Sequence, residues 1–293
     1  MPASLLYDEL GSLLFEAITL LPEYGLTRAD NALLRLYSRD IVEEAGRPSL
    51  ILELGSGSGT KTRHILNAAA AQRKVRYLPI DISSAALDAC RTTLDTIAGV
   101  QIEAIEARYL EGIARAMARR ARGESLLILF LGSTIGNFDP AGAETFLRDI
   151  HRQMKKGDAL LLGADLVKPR PKLLKAYDDS LGVTAAFNLN LLARINRELD
   201  ADFDIAKFAH VARYAARPAR IEMHLRSRVA QRVRIGALDL SIPFARGETV
   251  WTESSHKFHP AEIGALGERA GWALKHQWVD NSWGFAETLF ECR

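Results

Sequence analysis

Apolar residues recur along this chain in two rhythms, and the rhythm changes near residue 170. In the first half, short apolar runs alternate with stretches whose apolar positions fall three and four apart. That pattern predicts strands at 49–54, 75–81, 101–107, 125–131 and 159–164. It predicts helices between them at 62–71, 83–97, 111–122 and 141–154. Two further amphipathic helices precede them, at 5–21, stopped by Pro22, and at 29–45. Residues 126–131 (LLILFL) and 159–162 are apolar without interruption, as strands buried on both faces are. Strands separated by helices predict a parallel sheet with right-handed crossovers.

Past Pro169 and Pro171 the pattern differs: 172–199 reads as helical and 220–255 alternates like antiparallel strands. Ile221, Met223 and Leu225 share one face there, with Glu222, His224 and Arg226 on the other. From Pro260 a helix and two closing strands follow, at 273–279 and 285–291. The division expected is therefore 28–167 with 257–293 as one domain, and 1–27 with 168–256 as a second.

The chemistry concentrates at residues 50–62, LILELGSGSGTKT. A strand ending in Glu53 breaks into a turn with Gly55, Gly57 and Gly59 that opens a helix. Glycines let backbone turn sharply and approach a ligand, with helix N–H groups aimed at it. The next strand, VRYLPID, ends in Asp81, placed to hold ribose hydroxyls. NAD and S-adenosylmethionine both satisfy this. A pyrophosphate binder shows G-x-G-x-x-G, whereas here the glycines alternate behind an acid. An acid suits the cationic methionine end, so the loop favours S-adenosylmethionine. The fold expected is α/β: a Rossmann-like seven-stranded class I methyltransferase sheet, closed by the terminal antiparallel pair, with an inserted α+β substrate domain.

Net charge is +2, from 38 basic and 36 acidic residues, so no global field recruits nucleic acid. The basic run at 115–122 (RAMARRAR) has no interleaved aromatics and reads as a solvated helix face. Two cysteines, Cys90 and Cys292, form no CxxC pair, and the histidines show no metal-binding spacing. There is no signal-like N-terminus and no run of ~18 apolar residues. The expectation is a cytoplasmic monomer that acts on a small molecule, without metal, membrane or nucleic-acid partner.

Over nearly its whole length the chain resembles the histidine Nα-methyltransferases of ergothioneine biosynthesis, which make the trimethyl betaine hercynine. The segments that carry the resemblance are 14–24 (LFEAITLLPEY), 53–62 (ELGSGSGTKT), 131–140 (LGSTIGNFDP) and 176–190 (AYDDSLGVTAAFNLN). To these are added 196–203 (NRELDADF), 221–225 (IEMHL) and 252–258 (TESSHKF). The resemblance implies that Gly132 and Asn137 contact the substrate's amine and carboxylate and that Tyr177 binds the carboxylate. It implies that Tyr7, Tyr24 and Phe15 line the amino-acid pocket, with Met223 on its wall. Glu253 and Ser255 match the pair that reads the imidazole. Glu53, Gly55, Ser56, Gly57, Lys61 and Asp81 fall to the cofactor, Asp81 at its ribose. Tyr7 and Asn137 are the residues expected to hold the reacting amine.

Elementary chemistry agrees with several of these roles. Glu253 and Ser255 lie two apart on a predicted strand and so face one way. A carboxylate accepts from a ring N–H, and a hydroxyl serves the other nitrogen. Without the resemblance, the same two residues read as an edge-strand pair facing water. Asn137 follows an apolar strand at the end where open α/β sheets place ligands. Two departures stand out: Gly25 replaces a second tyrosine after the LPEY segment. Glu106-Ala107-Arg108-Tyr109 replaces a Gly-Asp-aromatic segment that reads adenine, leaving Glu106 or backbone groups for that task. The rivals are another aromatic amino acid as substrate (tryptophan or tyrosine), a nicotinamide-dependent oxidoreductase, and a relative that binds without turnover.

Overall fold

The computed structural model describes residues 3–293. In chain order the elements are α1 (Glu9–Leu20), α2 (Leu26–Glu44), β1 (Leu50–Leu54), α3 (Arg63–Ala70), β2 (Val75–Asp81), α4 (Ser84–Leu94), β3 (Val100–Ile102), β4 (Ile105–Glu106), α5 (Tyr109–Ala118), β5 (Leu126–Phe130), α6 (Pro140–His151) and β6 (Ala159–Asp165). Then come α7 (Arg170–Tyr177), α8 (Val183–Leu199), β7 (Phe208–Ala215), β8 (Arg220–Ser227), β9 (Gln231–Ile235), β10 (Leu240–Phe244) and β11 (Thr249–His256). The chain closes with α9 (Pro260–Arg269), β12 (Trp272–Asp280) and β13 (Phe285–Cys292). Two compact units emerge: Leu26–Val167 with Lys257–Arg293, and the segment through Gly25 with Lys168–His256.

The larger unit is built on one sheet in the order β12-β13-β6-β5-β1-β2-β3. β1, β2, β3, β5 and β6 run parallel, while β13 runs antiparallel to both β6 and β12. The sheet counts eight strands where the apolar pattern predicts seven, because the third is interrupted. β3 and β4 pair with β2 one after the other, at Tyr77↔Ile102 and Ile80↔Ile105. β1, β5 and β6 are buried along their full length, which explains their unbroken apolar sequence. The chain leaves this unit after β6 and returns at Lys257, and the two passes are stitched together. Val167 donates its N–H to the Phe258 carbonyl, and Phe258 donates to that of Asp165. Lys257 Nζ meets Asp165 Oδ2 at 2.9 Å in full burial, so the long insertion leaves the sheet intact.

The smaller unit holds a three-stranded antiparallel sheet, β11-β8-β7, and the pair β10-β9. A separate apolar core fills it, with Phe203, Phe208, Leu225 and Phe244 among its members. The helix predicted at 5–21 is divided. Asp8 is extended and its Oδ1 accepts from Gly11 N at 2.8 Å, so it caps α1 and leaves a 3-10 turn at Ala3–Leu6. The same carboxylate accepts from Asn190 Nδ2 and Arg197 Nη2, both at 2.7 Å, which ties α1 to α8. β7, absent from the expectation, pairs with β8 along eight residues.

Candidate functional site

In the larger unit the glycine turn follows β1, and Glu53 governs its shape. Its carboxylate is 1% exposed and accepts from the Thr62 hydroxyl, at 2.7 and 2.8 Å, and from the Tyr77 hydroxyl. Burial pushes its pKa up to about 7, against the pull of those two hydroxyls. Glu53 therefore fastens the loop to the start of α3 from below. Above it Gly55 has φ of 74°, and an added Cβ would lie 3.0 Å from Tyr109 Oη, so no side chain fits.

Asp81 closes β2 next to this turn. Its carboxylate accepts from Ser83 N at 3.0 Å and from Gly57 N at 3.5 Å, and burial raises its pKa. Each oxygen keeps a lone pair for a ribose hydroxyl. A glycine-rich turn with no side chain at Gly55 and Gly57, beside such an acid, fits the S-adenosyl group. Of the residues expected near adenine, Glu106 and Arg108 are exposed, and Ala107 gives its N–H to the Asp81 carbonyl at 3.0 Å. Tyr109 instead has its ring on Phe130 and Phe146.

Lys61, carried to the cofactor by resemblance, meets Asp30 Oδ2 at 2.5 Å. The same oxygen accepts from Gly132 N at 3.0 Å. Gly132 has φ of 72°, and a Cβ there would lie 3.0 Å from Lys61 Nζ. With its N–H given to Asp30, Gly132 has a carbonyl to offer, an acceptor suited to an amine rather than to a carboxylate. Asn137 ends a single 3-10 turn, Thr134–Asn137, and is half-buried. Ser56 is buried within the glycine turn.

The smaller unit gathers aromatic rings from two distant stretches of sequence, 7–24 and 177–187. Tyr7 lies edge-on to Phe15 at 5.4 Å and to Phe187 at 5.5 Å. Phe15 continues to Tyr24 at 6.3 Å, and Tyr24 to Tyr177 at 6.0 Å. Tyr177 then donates its hydroxyl to Ser255 Oγ at 2.8 Å. β11 contains a bulge at Thr252, whose hydroxyl donates to the Met223 carbonyl at 2.9 Å. Beyond the bulge Glu253 pairs with Met223 and Ser255 with Ile221, so both are on the face of β8 that carries its apolar residues. Both are nearly buried, at 8% and 6% exposure, and thus are not a water-facing edge pair.

Of the sequence-predicted residues, Tyr7, Phe15, Tyr24, Tyr177 and Ser255 form one continuous contact chain, and Glu253 and Met223 are cross-strand neighbours. Gly132 and Lys61 adjoin each other, as do Gly57 and Asp81. Sequence reasoning missed four participants. Phe187 sits in the quoted AFNLN segment without being singled out. His210 accepts from Asn188 Nδ2 at its Nδ1 and donates from Nε2 to the Tyr177 carbonyl at 2.8 Å. Burial lowers its pKa, so it is a neutral strut under Tyr177. Asp30 and Glu287 are fully buried acids, and each had a signal. Asp30 stands among Leu26, Ala29, Leu33 and Leu34 on the apolar face of α2, and Glu287 interrupts a buried strand.

Comparison with known proteins adds an independent finding. The family model described as "Histidine-specific methyltransferase, SAM-dependent" matches residues 1–292. A histidine N-alpha-methyltransferase of Mycolicibacterium smegmatis is 43% identical over 99% of this chain and 89% of its own length. One of Mycobacterium tuberculosis is 44% identical over the same shares. Ergothioneine biosynthesis protein 1 of Neurospora crassa is 32% identical over 67% of this chain, which covers 22% of that longer protein.

Proposed function

Because this chain belongs to the histidine-specific, S-adenosylmethionine-dependent methyltransferase family, we propose that it converts L-histidine to its Nα-trimethyl betaine, hercynine, for ergothioneine biosynthesis. The observation that carries the substrate assignment is the buried Glu253–Ser255 pair with Tyr177 behind it. A serine hydroxyl can donate to a ring nitrogen, and a carboxylate such as that of Glu253 can accept from a ring N–H. Neutral imidazole offers one nitrogen of each kind; an indole or a phenol leaves one partner unmatched. An unmatched buried group costs about 1–3 kcal/mol, or roughly ten- to hundred-fold in discrimination.

The cofactor supplies an electrophilic methyl group on a sulfonium, and the protein's task is to present the amine lone pair in line with it. By resemblance the amine falls to Gly132, Asn137 and Tyr7, and the Gly132 carbonyl is an acceptor suited to it. Tyr177 serves the carboxylate only when its hydroxyl turns from Ser255, because one proton cannot be donated twice. The rings of Tyr7, Phe15, Tyr24 and Phe187 suit a cation that grows with each methyl, since aromatic faces attract quaternary ammonium. Gly55, Ser56, Gly57, Lys61 and Asp81 hold the cofactor, with Glu53 beneath them.

Mass spectrometry of histidine, tryptophan and tyrosine, each incubated with enzyme and excess S-adenosylmethionine, tests the proposal. Histidine alone should gain three methyl groups. Product from tryptophan or tyrosine alone would overturn the imidazole roles. Cofactor binding without any product would support the relative that binds without turnover.

A further inference from the structure

Asp30 and Glu287 stand together in the interior of the larger unit, both 0% exposed. Asp30 Oδ2 is engaged by Lys61 Nζ and Gly132 N, whereas Asp30 Oδ1 and both Glu287 oxygens meet no donor among the described residues. Asp30 raises the pKa of Glu287 both through its charge and as a hydrogen-bonding neighbour. Glu287 pairs with Gly163 on the adjacent strand β6, where an added Cβ would lie 3.0 Å from Glu287 Oε1 and 3.3 Å from Gly132 N. Two carboxylates cannot donate to each other, and Lys61 neutralises only one of them. A single proton on Glu287 would resolve both defects: it supplies a donor for Asp30, and the cluster of Lys61, Asp30 and Glu287 becomes neutral.

We propose that Glu287 is a positioning residue, a neutral carboxylic acid that donates to Asp30 and so holds the Asp30 carboxylate on Lys61 and on the left-handed Gly132 peptide. This rests on the reading that Lys61 and Gly132 belong to the binding machinery. Burial and the adjacent Asp30 charge both keep the proton on Glu287 well above the usual carboxylate range. Lys61 retains two further N–H donors for the methionine carboxylate of the cofactor, aimed by its bond to Asp30. Glu53 also acts on Lys61 through space.

Two measurements test this. The first is an infrared difference spectrum between the parent and Glu287→Gln at pH 8, a unit above Glu53. The carbonyl stretch of a protonated carboxylic acid should be present in the parent and missing from the variant; its absence from the parent would overturn the proposal. The second is calorimetric binding of S-adenosylhomocysteine. Glu287→Ala should weaken it at least tenfold, and Glu287→Gln, which keeps the shape and a donor, should recover most of the loss. Parent-like binding by the alanine variant, or equal weakness in both, would sink the idea. Should the alanine variant not fold, the infrared result on Glu287→Gln still decides. A parent that binds S-adenosylhomocysteine but leaves histidine unmethylated would refute the proposed function and not this inference.

Discussion

The two units solve the problem of holding a charged small molecule in opposite ways. The corner of the larger unit is made of backbone and ions: a glycine-rich turn, Asp81, and the pair of half-buried Lys61 with fully buried Asp30. The bowl of the smaller unit is made of neutral rings, with Glu253 as its one assigned carboxylate. The contrast teaches where tolerance to change resides. In the corner, geometry is set by φ angles and buried charge, so a single methyl group or lost proton is felt. In the bowl, shape comes from many edge-on ring contacts worth about 0.5–1.5 kcal/mol each, and single polar atoms set identity.

The sharpest break should come at Glu253. Glu253→Ala should lower kcat/KM for histidine by about a hundredfold, the upper end for an unmatched buried partner. Binding of S-adenosylhomocysteine should be unchanged, because the assigned cofactor residues are in the other unit; equal loss of both would erase the division of labour. Gly132→Ala attacks the opposite side. A left-handed φ costs a side chain roughly 1–2 kcal/mol, and the new Cβ crowds Lys61, so affinity for the cofactor should fall about tenfold or more. Isothermal calorimetry checks this.

Tyr177→Phe sharpens the bowl. Loss of one hydrogen bond of about 1 kcal/mol to Ser255 should raise KM for histidine roughly fivefold and leave fold and cofactor binding intact, as steady-state kinetics will show.

A further effect is one of stability. Glu53 binds its proton more tightly in the folded chain, at about 7, than at its ordinary value of 4.5. Its contribution is therefore fully present below 4.5 and is lost as pH rises through about 7. Thermal melts between pH 5 and 8 should show the parent losing stability with rising pH, and Glu53→Gln losing less. A variant curve parallel to the parent's would exclude Glu53 as the source.

Much of the corner was legible because it is local. The glycine turn, Glu53, Lys61 and Asp81 fall within two adjacent strand–loop units, where spacing and residue type speak directly. The bowl was legible only through resemblance: its rings come from positions 7, 15, 24, 177 and 187, and no periodicity links them. The bulge at Thr252, which sets which way Glu253 points, left no mark in the alternation of β11. The interrupted third strand was likewise invisible, since residues 101–107 alternate as a single strand would.

Two outcomes belong to tertiary structure for a stated physical reason. The direction of a polar side chain depends on what is packed over it. Glu53 was expected beside a cationic ligand and is instead turned onto Thr62 and Tyr77, and the Gly132 N–H was spent on Asp30. By itself the sequence determined the alternation of strands and helices in the larger unit, the β12–β13 closing pair and the glycine turn, because these follow from short-range periodicity and from the backbone freedom of glycine. Which acids are buried, which of them must keep a proton, and which rings meet were decided only when α2, β6 and β13, and separately α1, α7, α8 and β11, came together. Desolvation and contact are properties of the assembled neighbours, not of any residue in its own segment.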